Sequence, residues 1–553
     1  MACQHVSRHR VEPGPRKVVR LRARPVGAQL LKPRVRLRAA SREPLLPLPE
    51  GDLGLPVFGE TLDLILSGDS FGSSRRQRYG DVYKTNILGA PTVMVYGEEA
   101  VRAVLSAEDR LVASDWPQVT STLVGPDSLN LLTGPRHGAA KRALAEAFSE
   151  RAMRRHVPYI ARVVQDYIAR WAAGPQPLAG YAACQELSQA LFDVVVLGGD
   201  GGRRRAAMLQ ELMARLQAGF QTPPLELPFT DYGKAVQARR AFGELVAEAL
   251  AACLRRNADA DADTGPNCAL ADVARAAANA VDPRQPHQPP PQQHQEVLLL
   301  SDSVVCDNMA AAFFGNASTG PSLVKALQFL AASPGVLLEL RREQQEIVAS
   351  HGTEITADVL DQMSYGAAVA KELLRITPAV PAVFRVALAD FELLGRRIPK
   401  GWRVWCHLGD SVLKYNKDAF EPERWRRHQH QQQQQQQGQG QGQGICADTA
   451  QETASSASIP AADGGGGGCP AHRGGQVTHG SAPAPKVEYS LPFGTGVRTC
   501  LGRHLVFSEL LVVLAVLARG YDWRALNPGE EWRVVPAPAP RDGLRVELRR
   551  REP

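Results

Sequence analysis

The sequence lacks the long apolar run that a membrane-spanning helix needs. No stretch reaches the roughly eighteen apolar residues that cross a bilayer, and the longest run, near residues 510–518, is too short. We therefore expect no transmembrane helix. Hydrophobic residues make up 44% of the 553 residues and charged residues 22%, values that are ordinary for a globular chain with a large core.

Paired cysteines are also missing. The nine cysteines include no CxxC pair, and their number is odd. This pattern argues against a disulfide framework and fits a reduced compartment or unpaired thiols. The chain also shows no flavin or iron–sulfur motif. Any redox chemistry would therefore need electrons from a separate protein.

Acidic residues are scarce at the start of the chain. Residues 1–44 hold ten arginines and two lysines against only Glu12 and Glu43. This excess is larger than the formal net charge of +7 for the whole chain, so the remainder is slightly acidic and is not predicted to bind nucleic acid. The leader lacks the apolar core of a secretory signal and is typical of a transit peptide, which predicts an organelle, first the chloroplast, with the mitochondrion or the endoplasmic reticulum surface as alternatives. A disordered basic tail is the other interpretation.

Two segments have too few apolar residues to pack. Residues 257–296 pass from alternating Ala and Asp to a Pro- and Gln-rich run, and residues 426–484 contain polyglutamine, Gln-Gly alternation and a pentaglycine. Such composition cannot offset the entropy cost of ordering the chain. Both segments are predicted to be disordered surface insertions.

The remaining sequence is mostly helical in pattern. A long tract over residues 135–256 carries apolar residues at spacings of three and four, as in Val164, Tyr167 and Ile168. Alternating residues on both sides of the turn at residues 89–91 predict a β-hairpin.

The most informative string is LPFGTGVRTCLG at residues 491–502, which precedes an apolar, helix-like run at residues 505–518. A cysteine at a helix N-terminus lies near free backbone N–H groups and the positive end of the helix dipole, so we expect a lowered pKa for Cys500 and an anionic ligand. The glycines permit tight turns and close approach of a flat ligand. Arg498 is placed to pair with a carboxylate on that ligand. A buried core cysteine is the alternative for a lone residue, but six fixed positions favour the ligand site.

The string F-G-x-G-x-R-x-C-x-G, which includes Phe493 and Gly494, resembles the haem-binding loop of the cytochromes P450. The resemblance implies a mainly α fold with a small β part, in a single large domain over residues 45–553. It also implies heme b, iron protoporphyrin IX, with the Cys500 thiolate as axial iron ligand, which favours O–O cleavage. Phe493 and Gly494 would then contact the cofactor.

Three cations match family positions near the haem carboxylates. They are Arg498 in the loop, Arg385 in PAVPAVFRVAL, and Lys141. Lys141 replaces the Arg of the usual W-x-x-x-R, and His137 replaces its Trp. A lysine presents a point charge where arginine presents a fork of donors. The resemblance predicts that all three cations bind the cofactor.

A further family feature is a Glu-Arg-Arg arrangement. In KELLR, Glu372 and Arg375 are three residues apart on one helical face and can pair. Arg424 in FEPERW would complete a buried network, since a buried charge needs such partners. The resemblance implies a structural role for the three residues.

The family's oxygen-activating helix carries A-G-x-[DE]-T-T, and this chain departs from it. The aligned residues place Ala317 at the acid and Ser318 at the first threonine, followed by Thr319. Proton delivery before O–O cleavage by a positioned acid or alcohol contributes about 10²- to 10⁴-fold. Either Ser318, Thr319, Asn316 and ordered water perform this step as catalytic groups, or the protein cleaves O₂ poorly.

Longer strings, among them LPLPEGDLGLPVFGETLDL and NKDAFEPERW, resemble the retinoic-acid hydroxylase branch and its relatives that act on sterols and similar terpenoids. This implies a monooxygenase that hydroxylates an apolar retinoid, carotenoid or sterol-like substrate with O₂. Electrons would come from a ferredoxin-like protein or a flavoprotein reductase. Animal members begin with a membrane anchor, which the basic leader replaces here, so we expect peripheral membrane contact.

Two alternatives stay open at this point. Ala317 also suits a haem-thiolate enzyme that rearranges a hydroperoxide or uses peroxide directly. His137, Lys141, Ala317 and Pro321 together also suit a haem-binding sensor without catalysis.

Overall fold

The structure is a computed structural model that describes residues 37–39, 46–55, 59–67, 70–87, 89–258, 268–279, 301–376, 379–409, 419–426, 491–533 and 538–552. Apart from residues 37–39, the predicted leader lies outside the described residues. The second predicted insertion, residues 426–484, also lies outside them, except for its first residue.

The architecture is mainly helical, as the sequence predicts. The helices are α1 (Thr61–Ser67), α2 (Ser70–Tyr79), α3 (Glu98–Leu105), α4 (Val119–Leu123), α5 (Gly134–Ala145), α6 (Glu150–Ala173), α7 (Gly180–Phe192), α8 (Arg203–Gly219), α9 (Asp231–Ala258), α10 (Ala269–Asn279), α11 (Asp302–Asn316), α12 (Thr319–Ala332), α13 (Pro334–His351), α14 (Ala357–Gln362), α15 (Ser364–Ile376) and α16 (Arg503–Gly520). A short π-helix, Asp193–Leu197, continues α7, and 3₁₀ turns occupy Leu491–Phe493 and Gly496–Arg498.

Helix α16 forms the centre of the main core. Apart from Glu509, its residues from position 509 to 518 are apolar on every side, and all ten are buried. A helix of this kind is stable only when other elements surround it. Helices α6, α12, α13 and α15 pack against it. The predicted helical run after Cys500 is thereby confirmed.

Helix α6 has the opposite pattern, with one buried face. Val164, Tyr167 and Ile168 are buried at helical spacing. Its N-terminus is capped by Ser149, whose hydroxyl accepts a hydrogen bond from the Ala152 N–H at 3.1 Å. Such a cap satisfies one of the N–H groups that the first helical turn leaves unpaired.

The largest sheet has six strands in the order β2-β3-β4-β10-β7-β5. Strands β3 and β4 form the predicted hairpin, with Val82 opposite Val95. Smaller sheets have the orders β1-β8-β9, β11-β14-β6 and β12-β13. The strands are β1 (Arg38–Ala39), β2 (Glu50–Gly51), β3 (Val82–Ile87), β4 (Ala90–Val95), β5 (Val112–Ser114), β6 (Leu178–Ala179), β7 (Ala382–Ala387), β8 (Phe391–Leu393), β9 (Arg396–Ile398), β10 (Arg403–His407), β11 (Tyr521–Ala525), β12 (Trp532–Arg533), β13 (Ala539–Pro540) and β14 (Arg545–Arg550).

One part of the first predicted insertion is ordered. Within residues 257–296, α10 places Leu270, Val273 and Ala274 in the core. The spacing of these residues gives the helix an apolar face. A prediction from the average composition of the Ala- and Asp-rich segment does not detect this face. The prediction of disorder is therefore wrong for α10.

Among the described residues, no single helix has both the length and the apolar composition to cross a bilayer. One bent pair, Asp302–Ala332 followed by Pro334–His351 at 106°, meets both criteria when its two parts are taken together.

Candidate functional site

The loop that carries Cys500 (the cysteine loop, residues 491–502) is closed by its own backbone. The N–H of Gly494 donates to the Leu491 carbonyl at 2.7 Å, and the N–H of Cys500 donates to the Phe493 carbonyl at 3.0 Å. Gly494 has a φ of +67°, a conformation that favours glycine, and the space where its Cβ would lie is open. Gly496 has no such space, because a Cβ there would stand 2.8 Å from the Leu105 oxygen.

Cys500 lies three residues before α16 and is exposed. The other described cysteines, at positions 184, 253, 268, 306 and 406, are buried or half-buried. Although the residue is exposed, surrounding protein atoms desolvate its sulfur, and this raises the pKa of the thiol. The Gly502 N–H, Lys141 and Arg503 oppose the rise without reversing it. The expectation of a lowered pKa in the protein chain itself is therefore wrong, because desolvation outweighs the helix end and the two cations.

Arg498 is held from three sides. Its Nε bonds to Glu108, its Nη1 donates to the Leu129 carbonyl at 2.9 Å, and its Nη2 donates to the Leu132 carbonyl at 2.6 Å. The side chain is 9% exposed. The arginine therefore ties the cysteine loop to the connection between α4 and α5.

Arg385 of β7 joins the same cluster. Its Nε donates to Glu108 at 2.6 Å, so that one carboxylate bridges Arg385 and Arg498. Within the described part of the chain, its Nη2 makes no hydrogen bond, although its Nη1 donates to the Phe384 carbonyl at 2.7 Å. Sequence reasoning missed Glu108 because it lies 277 residues from Arg385 and 390 from Arg498.

Lys141 of α5 also contacts the cysteine loop. Its Nζ donates to the Val497 carbonyl at 2.6 Å and to the Thr499 carbonyl at 2.8 Å. Burial and the nearby Arg503 lower its pKa. His137, one turn earlier, is buried, and desolvation together with Arg498 lowers its pKa to about 4. It is therefore neutral near pH 7, and Lys141 is the cation that α5 brings to the loop.

These residues fit a haem. No group of three or more His, Cys, Asp or Glu side chains that could hold a metal ion occurs among the described residues. Cys500 presents one exposed sulfur, and a cysteine sulfur is one of the protein ligands that haem iron takes. Gly494 leaves open space beside the loop, and Arg385 keeps free donors for a carboxylate. Cys500 would bind the iron, with Arg385, Arg498 and Lys141 as the nearby cations.

The predicted Glu-Arg-Arg residues lie together, with Glu372 and Arg375 buried and Arg424 half-buried. Arg375 pairs with Glu372 through two nitrogens, at 2.8 and 2.9 Å, and Arg424 Nε donates to Glu372 at 3.0 Å. The indole of Trp425 and the Glu421 N–H also donate to this carboxylate, both at 2.9 Å. Burial raises the pKa of Glu372, but these donors outweigh it and the net shift is downward. The structural role of the network stays a prediction.

The family's oxygen-activating helix is interrupted here between α11 and α12, at Ala317 and Ser318 (the helix break). The Ser318 N–H donates to the Gly315 carbonyl at 3.2 Å, and its hydroxyl donates to the same carbonyl at 2.8 Å. This local bond competes with proton transfer by the hydroxyl. Thr319 is buried at the first position of α12. Both alcohols therefore lie at the break, and their role in proton delivery stays a prediction.

Asn316 points elsewhere. Its side-chain nitrogen donates to the Ser188 carbonyl at 3.2 Å and to the Gln189 side chain at 3.4 Å, both on α7. The Ser188 hydroxyl donates in return to the Asn316 carbonyl at 3.3 Å. The side chain of Asn316 thus joins α11 to α7, and its expected catalytic role stays a prediction.

Comparisons with known proteins agree with this geometry. Cytochrome P450 26C1 of Mus musculus is 29% identical, with 90% of this chain and 88% of the mouse protein covered. Cytochrome P450 26B1 of Danio rerio is 30% identical, covering 91% and 87%. The solved structure described as retinoic acid bound cyanobacterial CYP120A1 superposes with a TM-score of 0.68, covering 92% of this chain and 100% of that chain. Its identity is 24%, so this likeness shows the fold alone.

A family model provides the broadest match. The model described as Cytochrome P450 matches residues 49–447, more than half of the chain, and ends before the cysteine loop. That loop independently carries the exposed thiol on which the family's chemistry depends. The chain therefore belongs to the cytochrome P450 family of monooxygenases.

Proposed function

We propose that this cytochrome P450 hydroxylates an apolar terpenoid, with retinoids as the first substrates to test and carotenoids and sterols next. The observation that carries the chemistry is the exposed Cys500 thiol at the start of α16, in a loop held by Arg498 and Lys141. When bound, the haem supplies O–O cleavage and transfer of one oxygen atom to a C–H bond.

The chain's own residues divide this work. Cys500 would supply the thiolate. Arg385 would donate to a ring carboxylate from its Nη2, and Arg498 and Lys141 would add positive charge beside it. Ser318 and Thr319 hold or move protons at the helix break, where Ala317 occupies the position of the family acid. Because the Ser318 hydroxyl already donates to Gly315, it must rotate to serve as a donor elsewhere.

The substrate class rests on the resemblance of the sequence to the retinoic-acid hydroxylase branch, and cytochromes P450 26 align with about nine-tenths of this chain. The cyanobacterial structure, whose fold this chain shares, has retinoic acid bound, which makes retinoids the first class to test. The test is a spin-state titration of the purified protein with retinoids, carotenoids and sterols. We expect saturable spectral shifts with at least one of these classes, and no shift with any of them would contradict the proposal.

Electron supply separates this function from its rivals. We expect substrate-dependent consumption of NADPH and hydroxylated product when a ferredoxin-like or flavoprotein donor system is added. Turnover of a fatty acid hydroperoxide without any donor would instead identify the peroxide-using alternative, which Ala317 favours. A normal haem spectrum with neither activity would identify a sensor.

We also propose peripheral membrane contact through α1. This helix has no buried residue, and Leu62, Ile65 and Leu66 are 62%, 69% and 85% exposed. Apolar side chains clustered in this way are typical of an interfacial surface. Flotation with lipid vesicles should recover the protein, and replacing all three side chains with Ser should abolish recovery. Equal flotation of both proteins would contradict membrane contact through α1.

The leader, residues 1–44, is proposed to direct import into an organelle, the chloroplast first. Arg38 and Ala39 pair with β8, so processing before Arg38 would preserve this strand. A fusion of residues 1–44 to a fluorescent protein should concentrate in plastids. A diffuse cytosolic signal would exclude import.

A further inference from the structure

Glu108 is the buried centre of the cation cluster beside the cysteine loop. It follows α3 and precedes β5, and its side chain is 2% exposed. One carboxylate oxygen accepts from Arg385 Nε at 2.6 Å, and the other accepts from Arg498 Nε. The Ser114 N–H donates to the second oxygen as well, at 3.0 Å.

This arrangement fixes both arginines. Each guanidinium uses its Nε on a different oxygen, so the carboxylate fixes the plane of both side chains. For Arg385, this orients an Nη2 that makes no hydrogen bond among the described residues. The main-chain carbonyls of Leu129 and Leu132 complete the hold on Arg498. Without Glu108, two buried positive charges would lie together with no counter-charge, which is costly in a low-dielectric interior.

The charges also balance. Arg385, Arg498 and Lys141 carry three positive charges, and Glu108 removes one. His137 adds none near pH 7. Heme b carries two carboxylates, so these four charged side chains and the ring carboxylates together would be neutral. Arg503 and Asp109 lie nearby and add one charge of each sign. A buried, hydrogen-bonded and neutral set is the arrangement in which buried ions are tolerated.

We propose that Glu108 is a positioning residue that orients Arg385 and Arg498 toward the haem carboxylates and sets the net charge of that site. The inference rests on the proposed function, since it requires a bound haem. It assigns Glu108 no contact with substrate or iron.

The test compares two variants with one control. Glu108→Gln keeps the shape and removes the charge, while Glu108→Asp keeps the charge and shortens the reach. Glu60→Gln is the matched control, because Glu60 also bonds to an arginine, Arg75, and is 14% exposed. For each holoprotein, we would measure the reduced carbon monoxide spectrum, the haem reduction potential, the rate of haem transfer to apomyoglobin and the thermal midpoint.

Glu108→Gln should shift the reduction potential to more positive values, because added positive charge favours the reduced haem. Glu108→Asp should release haem about tenfold faster, as expected when a residue that orients cofactor contacts is lost. Glu60→Gln should change neither quantity. A merely structural role would lower the thermal midpoint and leave both quantities unchanged.

The inference is overturned if Glu108→Gln has the potential of the wild type and Glu108→Asp has its haem-release rate. If Glu108→Gln does not fold, the haem-release rate of Glu108→Asp alone tests the inference, and a wild-type rate overturns it. A wild-type protein without the thiolate spectrum would overturn the proposed function itself, and this result is distinct from the other two.

Discussion

The cysteine loop and the helix break differ in how far they keep the family pattern. In the loop, each element of the expected string is present, and Arg498 and Lys141 tie it to α5 and the segment before α5. At the break, the family acid is replaced by Ala317, and the Ser318 hydroxyl is bonded to its own backbone. The residues expected to bind the haem and the residues expected to deliver protons therefore depart from the family pattern to different extents.

Because of this difference, cofactor retention and oxygen chemistry can be tested separately. Changes in the cysteine loop should affect the presence and spectrum of the haem. Changes at the helix break should affect how efficiently electrons yield product, with the haem spectrum unchanged.

The largest effect is expected for Cys500→Ser. A hydroxyl is a poor iron ligand compared with a thiolate, so the thiolate band in the reduced carbon monoxide spectrum and all hydroxylation should be lost. Cys306→Ser, at a half-buried cysteine of α11, is the control and should keep both. A thiolate band in Cys500→Ser would contradict the account.

The helix break should respond to a restored acid. Ala317→Glu should raise the fraction of consumed NADPH that yields product, by up to about 100-fold, because a positioned acid assists proton delivery. Ala317→Gln has the same size without the acid and is the control. If both variants couple equally, proton supply at position 317 does not limit the reaction.

The helix behind the cysteine loop contains a pH-sensitive carboxylate. Glu509 of α16 is fully buried, and neither of its oxygens has a hydrogen-bond partner among the described residues. Burial raises its pKa to about 8. The folded state therefore keeps a proton that the unfolded chain releases near its ordinary pKa of 4.5, and stability falls as pH rises from there to about 8.

Glu509→Gln should remove this loss. Relative to wild type, the variant should gain about 1.4 kcal/mol of unfolding free energy for each pH unit between about 5 and 8. Urea unfolding followed by circular dichroism measures it. Glu346→Gln, at an exposed position of α13, should leave the pH dependence unchanged. A stability difference between Glu509→Gln and wild type that does not vary with pH would refute the assignment.

The smallest effect is expected for Asn316→Ala. Its side chain bonds to α7, so the variant should lose about 1 kcal/mol of stability and keep the coupling of the wild type. Product yield per NADPH measures the coupling, and the urea midpoint measures the stability. A loss of coupling at full stability would return Asn316 to the proton path.

Local patterns made most of the fold predictable. The hairpin of β3 and β4, the helical tract from α5 to α9 and the apolar α16 all follow from residue spacing within one element. The pairing of Glu372 with Arg375 could also be predicted, because a separation of three residues places them on one helical face.

Long-range and orientational features could not be predicted in this way. Glu108 stands in a short loop whose local sequence resembles a solvated surface, and its partners come from distant strands and loops. The direction of Asn316 depends on where α11 ends, which a gapless alignment with the family motif does not give. The pKa of Cys500 depends on desolvation by neighbouring elements, and a helix-end argument omits this effect.

The central claim is that Cys500 binds haem iron through its sulfur. The most direct measurement is the reduced carbon monoxide difference spectrum of the purified wild-type protein. We predict the red-shifted band of thiolate-ligated haem. A band typical of histidine-bound haem, or a protein that binds no haem, would contradict the account.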